Sequence, residues 1–322
     1  MKVVARCLIV LCVWLQSTRT FAVDPPITAL TFVPRQAVVL TVSQLGLSAY
    51  SWPTLRRLAT RPLKSANPHE LSFSPDGKWL LVAGGHPAED GLVELFAWPE
   101  EMSPEAIPAE LQAAAVFSGH TDSVRTIAWR DSATFYSGGM DRTIHLWDRQ
   151  QPDKPTRTFR GHSRSISALC FLKSHDVLVS TGTDQSVRVW DAQAGALLRN
   201  LNQHTRPVHA LAIRPGASRL PMVASAADDR TVRLWQPTIG RMVRYVRLES
   251  RPLDIAWTDE AHLVAACEDG HVRLIDADNV QVVATKPAID GWAYAVSVHP
   301  ESGDIVVGGS GGQPVRLPAG LR

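Results

Sequence analysis

The chain has 322 residues, enough for one large domain or two small ones, with 45% apolar and 20% charged residues. That balance excludes a disordered or low-complexity chain. A formal net charge of only +2 excludes a strongly basic protein drawn to polyanions.

Met1 to Arg6 (MKVVAR) is a short basic start, Cys7 to Leu15 (CLIVLCVWL) is an unbroken apolar run, and Gln16 to Arg19 is polar. Thr20-Phe21-Ala22 then places tolerated residues at the −3 and −1 positions of a cleavage site. This is the layout of a secretory signal peptide over 1–22, leaving a mature domain over 23–322. The apolar run is well short of the ~20 residues a membrane-spanning helix needs. The expectation is an exported, periplasmic or extracellular protein with no membrane insertion after cleavage. Removing Lys2, Arg6 and Arg19 from the 33 basic residues leaves 30 against 31 acidic ones, so no nucleic-acid partner is expected. Cleavage also leaves two of the four cysteines, Cys170 and Cys267. Both sit in apolar strand-like runs and read as buried thiols, although an oxidising compartment would permit a disulfide.

The mature chain repeats itself. Seven units start near Ile27, Pro68, Val124, Ile166, Val208, Leu253 and Ala293, spaced by 41, 56, 42, 42, 45 and 40 residues. The long interval contains Pro99 to Glu110 (PEEMSPEAIPAE), an acidic, proline-bearing insertion. Within a unit, runs such as Val124 to Trp129, Leu178 to Ser180 and Thr231 to Trp235 are rich in branched and aromatic residues. Pro75-Asp76-Gly77 and Asp269-Gly270 are turn signals between such runs. No segment holds a helical apolar period. Four short strands per unit of about 42 residues predict an all-β fold, a seven-bladed β-propeller with four-stranded antiparallel blades.

The three central units share a stricter code. Gly119-His120 is followed by Ser137, Asp141 and Trp147-Asp148; Gly161-His162 by Ser180, Asp184 and Trp190-Asp191; Gln203-His204 by Ser225, Asp229 and Trp235. Serine to aspartate is four residues and aspartate to tryptophan six in all three. This pattern resembles the WD40 repeat family, and the start of the chain suggests an exported bacterial type. The resemblance implies a buried hydrogen-bonded tetrad in each such blade, running from Trp to Ser to His to Asp. Ser, His and Asp together suggest catalysis. Their repetition in each unit makes them structural instead, since a buried indole, hydroxyl and imidazole each need a partner.

The outer units depart from the code. In the second, Asp90 and Phe96 keep the six-residue spacing. In the sixth, Asp269 stays while Ala265 and Ile275 replace the serine and tryptophan. The first and seventh have lost most of it. Family propellers usually close by lending an N-terminal strand to the last blade. Only Val23 to Ile27 precede the first repeat here, so closure is expected to be short or incomplete.

Chemistry-bearing motifs are few. Gly308-Gly309-Ser310-Gly311-Gly312 matches G-x-S-x-G but lies between two strand-like runs and reads as a hairpin turn. There is no HExxH, paired CxxC, CxxCH or P-loop. No catalytic residue, metal or cofactor is expected.

The resemblance implies that the loops joining one unit to the next, and second strand to third, form the contact face. Two residues past each tetrad histidine lie Asp122, Arg164 and Arg206. Matching Arg251-Pro252-Leu253 to Arg206-Pro207-Val208 adds Arg251, and Trp292 lies near the same level. Met140, Thr183, Asp228 and Glu268 precede the turn aspartates and are expected on that face, with the Pro99–Glu110 insertion opposite. Arg188, Arg233 and Arg273 recur in the third strand and read as structural. The expected function is a non-catalytic scaffold, a monomer or a member of a hetero-complex, that binds a protein partner. The alternative is an enzyme or small-ligand binder using the central channel. The small or apolar residues expected there, Ser165, Ala168, Ala210 and Ala256, favour the scaffold.

Overall fold

Aspartates at the strand ends set the turns. Asp141, Asp184, Asp229 and Asp269 each accept the N–H two residues on, from Thr143, Ser186, Thr231 and His271. Asp191 and Asp276 do the same one turn later, for Gln193 and Asp278. A carboxylate that closes its own turn reverses the chain within a few residues. The branched runs between such turns have only strand pairing available for their backbone groups.

The computed structural model describes residues 24–99, 112–216 and 219–321. The expected signal segment and nearly all of the Pro99–Glu110 insertion lie outside them. Blade 1 holds β1 (Ala29–Phe32), β2 (Val38–Ser43), β3 (Gly46–Ser51) and β4 (Arg57–Arg61); blade 2 holds β5 (Glu70–Phe73), β6 (Trp79–His86), β7 (Asp90–Ala97) and β8 (Ala115–His120). Blade 3 holds β9 (Val124–Trp129), β10 (Thr134–Gly139), β11 (Thr143–Asp148) and β12 (Arg157–Arg160); blade 4 holds β13 (Ile166–Leu172), β14 (Val177–Gly182), β15 (Val187–Asp191) and β16 (Leu197–Leu201). Blade 5 holds β17 (Val208–Ile213), β18 (Val223–Ala227), β19 (Thr231–Gln236) and β20 (Arg241–Arg247); blade 6 holds β21 (Pro252–Trp257), β22 (His262–Cys267), β23 (His271–Asp276) and β24 (Gln281–Pro287). Blade 7 has β25 (Ala293–Val298), β26 (Ile305–Gly309) and β27 (Val315–Leu317). Each sheet is an antiparallel meander in chain order. The protein is a seven-bladed β-propeller. Six sheets have four strands and the seventh, among the described residues, has three.

The first strands pack side by side around the axis, β1 meeting both β5 and β25. The core is accordingly divided into seven apolar clusters, one for each blade-to-blade interface. Leu178 and Trp190 of blade 4 pack with Tyr136 and Ile144 of blade 3, for example. No blade buries its own faces, so the clusters stabilise the ring only as a set. Blades 7 and 1 close it through Ile27, Leu30, Val39 and Tyr50 against Ala295 and Val306. Ile27 N–H donates to Gly309 O at 3.1 Å. Asp24 binds both Arg57 of blade 1 and Gln313 of blade 7. Among the described residues, closure is by face packing and a polar clasp. Cys170 and Cys267 sit buried and unpaired in blades 4 and 6, and burial pushes their thiols up to about 12 and about 11.

Candidate functional site

In blade 3, Trp147 Nε1 donates to Ser137 Oγ at 2.8 Å, Ser137 Oγ lies 2.7 Å from His120 Nε2, and His120 Nδ1 lies 2.9 Å from Asp141 Oδ2. The same three contacts measure 2.8, 2.6 and 2.8 Å for Trp190, Ser180, His162 and Asp184. They measure 2.8, 2.7 and 2.8 Å for Trp235, Ser225, His204 and Asp229. Only one polarity satisfies every group. The indole donates to the hydroxyl, the hydroxyl to Nε2, and Nδ1–H to the carboxylate. Burial alone would raise the three carboxyls, but the histidine hydrogen bonds and charges hold them well below the usual range. The serines are fully buried and their protons are committed, so these sets cannot attack a substrate. The Ser310 turn joins β26 to β27, and its hydroxyl accepts from Trp292 N–H at 3.0 Å. It has no strand-to-helix elbow.

His145, at the β11 position filled in later blades by Arg188, Arg233 and Arg273, comes within 4.8 Å of both His120 and Asp141 with its ligand atom. Thr143 Oγ1 lies among them, 2.8 Å from Asp141 and 3.4 Å from His145 Nε2. The donor set suits a metal, but its nitrogens are already hydrogen-bonded, those of His120 within the tetrad and those of His145 to Thr158 and Thr143.

On the loop face the backbone bonds fix the register between blades. Met140, Thr183, Asp228, Glu268 and Ser310 donate N–H to the carbonyls of Ser123, Ser165, Pro207, Arg251 and Trp292. This corrects the sequence alignment: Arg251 is equivalent to Pro207 and to Trp292, not to Arg206. The shift arises because Val208, not Pro207, pairs in register with the position of Pro252. Arg251 is bound by Glu268, lies 3.6 Å from Asp228, and stands 6.0 Å from the Trp292 ring centre. Asp228 is also held by His209 at 2.7 Å. Arg164 and Arg206 are exposed.

Between blades 5 and 6 this face opens into a cleft of about 870 Å³ whose walls include Arg206, Arg230, Arg247 and Glu249. Among the described residues Arg206, Arg230 and Arg247 make no ion pair, whereas the acids there are engaged: Asp229 by His204, Asp228 and Glu268 by Arg251, and Glu249 by Arg273 at 3.6 Å. The sequence reading missed Arg230 and Arg247. Arg230 carried a signal, because it fills a turn position with φ of 62° where blade 6 has Gly270 at 75°. A bulky residue there is strained.

The central channel is the larger correction. Ala168 and Ala210 line it, but Ser165 and Ala256 do not, and His69, Glu70, Arg125, His209, Asp254 and Tyr294 do. The cause is a bulge repeated at the start of the inner strand in blades 3 to 7. Pairing skips Arg125, Ser167, His209, Leu253 and Tyr294, and a bulge re-aims the extra side chain. Polar side chains then tie neighbouring inner strands together. Glu70 Oε2 accepts Ile127 N–H at 2.8 Å, Thr126 Oγ1 accepts Leu169 N–H at 3.0 Å, and Asp254 Oδ2 accepts Val296 N–H at 2.8 Å. Burial pushes Glu70 and Asp254 both up to about 7, and burial with the nearby Arg125 charge pushes His69 down to about 4.

The sequence profile described as "WD domain, G-beta repeat" matches residues 112–148, 153–191 and 195–236. Each match takes the outer strand of one blade and the three inner strands of the next, from β8 to β19 in all. The chain is similar to the Arabidopsis thaliana protein named coatomer subunit beta'-2, 30% identical over 31% of this chain and 11% of that protein. It is similar to A. thaliana THO complex subunit 3, 32% identical over 29% of this chain and 31% of that protein. It is also similar to nuclear distribution protein nudF of Aspergillus flavus, 36% identical over 24% of this chain and 18% of that protein. The matched stretch thus spans a tenth to a third of these eukaryotic relatives.

Proposed function

We propose that this WD40-like propeller is a non-catalytic protein-interaction platform whose partner presents an acidic segment to the cleft between blades 5 and 6. The observation that carries the reading is the set of unpaired arginines, Arg206, Arg230 and Arg247, along a cleft whose acids are all engaged. Arginine supplies bidentate hydrogen bonds to carboxylates and is enriched at interface hot spots. Trp292, 44% exposed beside Arg251, extends the surface with an apolar anchor. Two of the similar proteins are named as subunits of complexes, which suits a platform. Arg164, one blade away, stands at the rim of the same face.

The expected setting is outside the cytoplasm, on the strength of the N-terminal sequence alone; the eukaryotic relatives do not bear on it. N-terminal sequencing of the protein recovered from the envelope or medium should begin at Val23.

The binding test is cross-linking capture followed by titration of the captured partner, with R206E/R230E/R247E compared against Lys173→Glu in the turn between β13 and β14, on the opposite face. The triple variant should lose at least about tenfold in affinity, or 1.4 kcal/mol, with its Tm within about 2 °C of the parent. Equal affinity would remove the cleft from the interface.

A further inference from the structure

We propose that the loop-face end of the central channel binds a small zwitterion, a free amino acid or a molecule of that size, with its carboxylate on Arg125 and its ammonium facing Glu70 and Asp254. The cavity, about 470 Å³, is of small-molecule size and too narrow for a folded partner. It is also a constructed space, since the repeated bulges at the start of the inner strands aim side chains into it.

Arg125 is the bulged residue of blade 3 and is exposed to the channel. Among the described residues its guanidinium makes no hydrogen bond and no ion pair within 4 Å. Five donors in a planar fork, enclosed by protein and unsatisfied, suit one carboxylate taken in bidentate fashion. A simple anion would have to enter beside two acids. Glu70 stands on blade 2 and Asp254 on blade 6, both on the channel wall, and neither has an ion-pair partner among the described residues. Glu70 accepts from Ile127 N–H and from the Thr126 hydroxyl, and Asp254 accepts from Ile255 and Val296 N–H. Burial raises both carboxyls to about 7, the Arg125 charge offsets a small part of this at Glu70, and among the described residues neither acid has a cation within ion-pair distance. A ligand ammonium supplies that cation while its carboxylate satisfies Arg125. Tyr294 and Trp292, with ring centres 5.8 Å apart, stand at the mouth and offer an aromatic wall to the remainder of the molecule.

This site does not rest on the protein-docking reading, because its walls are the inner strands and not the blade 5–6 cleft. The test is isothermal titration of the full propeller with L-serine, L-leucine and L-glutamate, and with acetate and methylamine as the separated halves. At least one amino acid should bind with a Kd at or below about 1 mM, more tightly than either half by tenfold or more. Arg125→Gln and Glu70→Gln should each weaken it at least tenfold at unchanged circular dichroism and with no loss of Tm. Glu70→Gln keeps the acceptor for Ile127, so loss of binding there cannot be attributed to unfolding. R206E/R230E/R247E should bind the amino acid as the parent does. Acetate binding as well as the amino acids, no heat from any of the three, or Arg125→Gln binding like the parent would each overturn the assignment.

Discussion

Blade 6 shows how the polar tetrad can be dispensed with. Leu248, Ala265 and Ile275 stand where blades 3 to 5 place histidine, serine and tryptophan, and all three are buried in one apolar cluster. Asp269, freed from a histidine, binds Arg273 instead. Both solutions are complete, and a half-finished one is not, because a buried polar group without a partner costs ~1–3 kcal/mol. Asp184→Ala should therefore destabilise by roughly 3 kcal/mol, since it leaves His162 and two turn N–H groups unpartnered. A denaturant midpoint indistinguishable from the parent would contradict it. The spacing made these tetrads legible, because a network that must close imposes fixed intervals on the chain. The channel residues impose none. Glu70, Arg125 and Asp254 titrate against burial and each other, and only the folded ring brings them together. Their carboxyls, raised to about 7, hold protons more tightly folded than unfolded. They add stability below the ordinary carboxylate range, and lose it as pH climbs through about 7. His69 and His145, pushed down to about 4, act oppositely: their contribution is full above about 6.5 and is lost as pH falls through 4. Glu70→Gln with Asp254→Asn should match the parent Tm at pH 5 and exceed it at pH 8, by roughly 1–3 kcal/mol in stability.

At the scale of the element, the turn between second and third strand carries the most information. Arg142, Gln185, Arg230 and Gly270 occupy one position in successive blades, all at positive φ between 62° and 75°. Of these four only Gly270 fits without strain, and blade 7 uses Gly312, φ 68°, in the same place. An arginine kept in such a turn is an argument for function drawn from an observed outlier. Arg230→Gly should cost no stability, since the relieved strain offsets the added freedom of the unfolded chain, yet should weaken capture of the acidic partner. A drop in Tm with capture intact would reverse the assignment. Strand positions were readable because branched runs alternate with turn signals. The inner-strand bulges were not, because an extra residue in a strand leaves the apolar pattern nearly unchanged while it shifts the register by one. The misalignment of Arg251 with Arg206 has another source: the Arg-Pro pairs match by residue type but are offset by one in the pairing, since Val208 and not Pro207 corresponds to Pro252.

The whole ring depends on seven interfaces, and among the described residues the one between blades 7 and 1 has the fewest buried apolar side chains, Ile27, Leu30, Val39, Tyr50, Ala295 and Val306. It is also where the first and last described blades meet. The repeat spacing gave the blade count, but no spacing could say how the last blade ends, because closure is made between residues nearly 300 apart, such as Asp24 and Gln313. The described contacts across this seam begin at Asp24, so a chain that starts at Val23 retains all of them. Deleting 1–22 should leave the Tm within about 2 °C of the full chain, whereas Ile27→Ala should destabilise by roughly 2–4 kcal/mol by hollowing a fully buried contact. The opposite result has a definite meaning. Thr18-Arg19-Thr20-Phe21 repeats Thr156-Arg157-Thr158-Phe159, the stretch that leads into the outer strand of blade 3. A large loss of stability on deletion would show that the N-terminal segment works as part of the ring and is not removed as a leader. The deletion therefore separates export with packing-only closure from a retained N-terminus that completes blade 7.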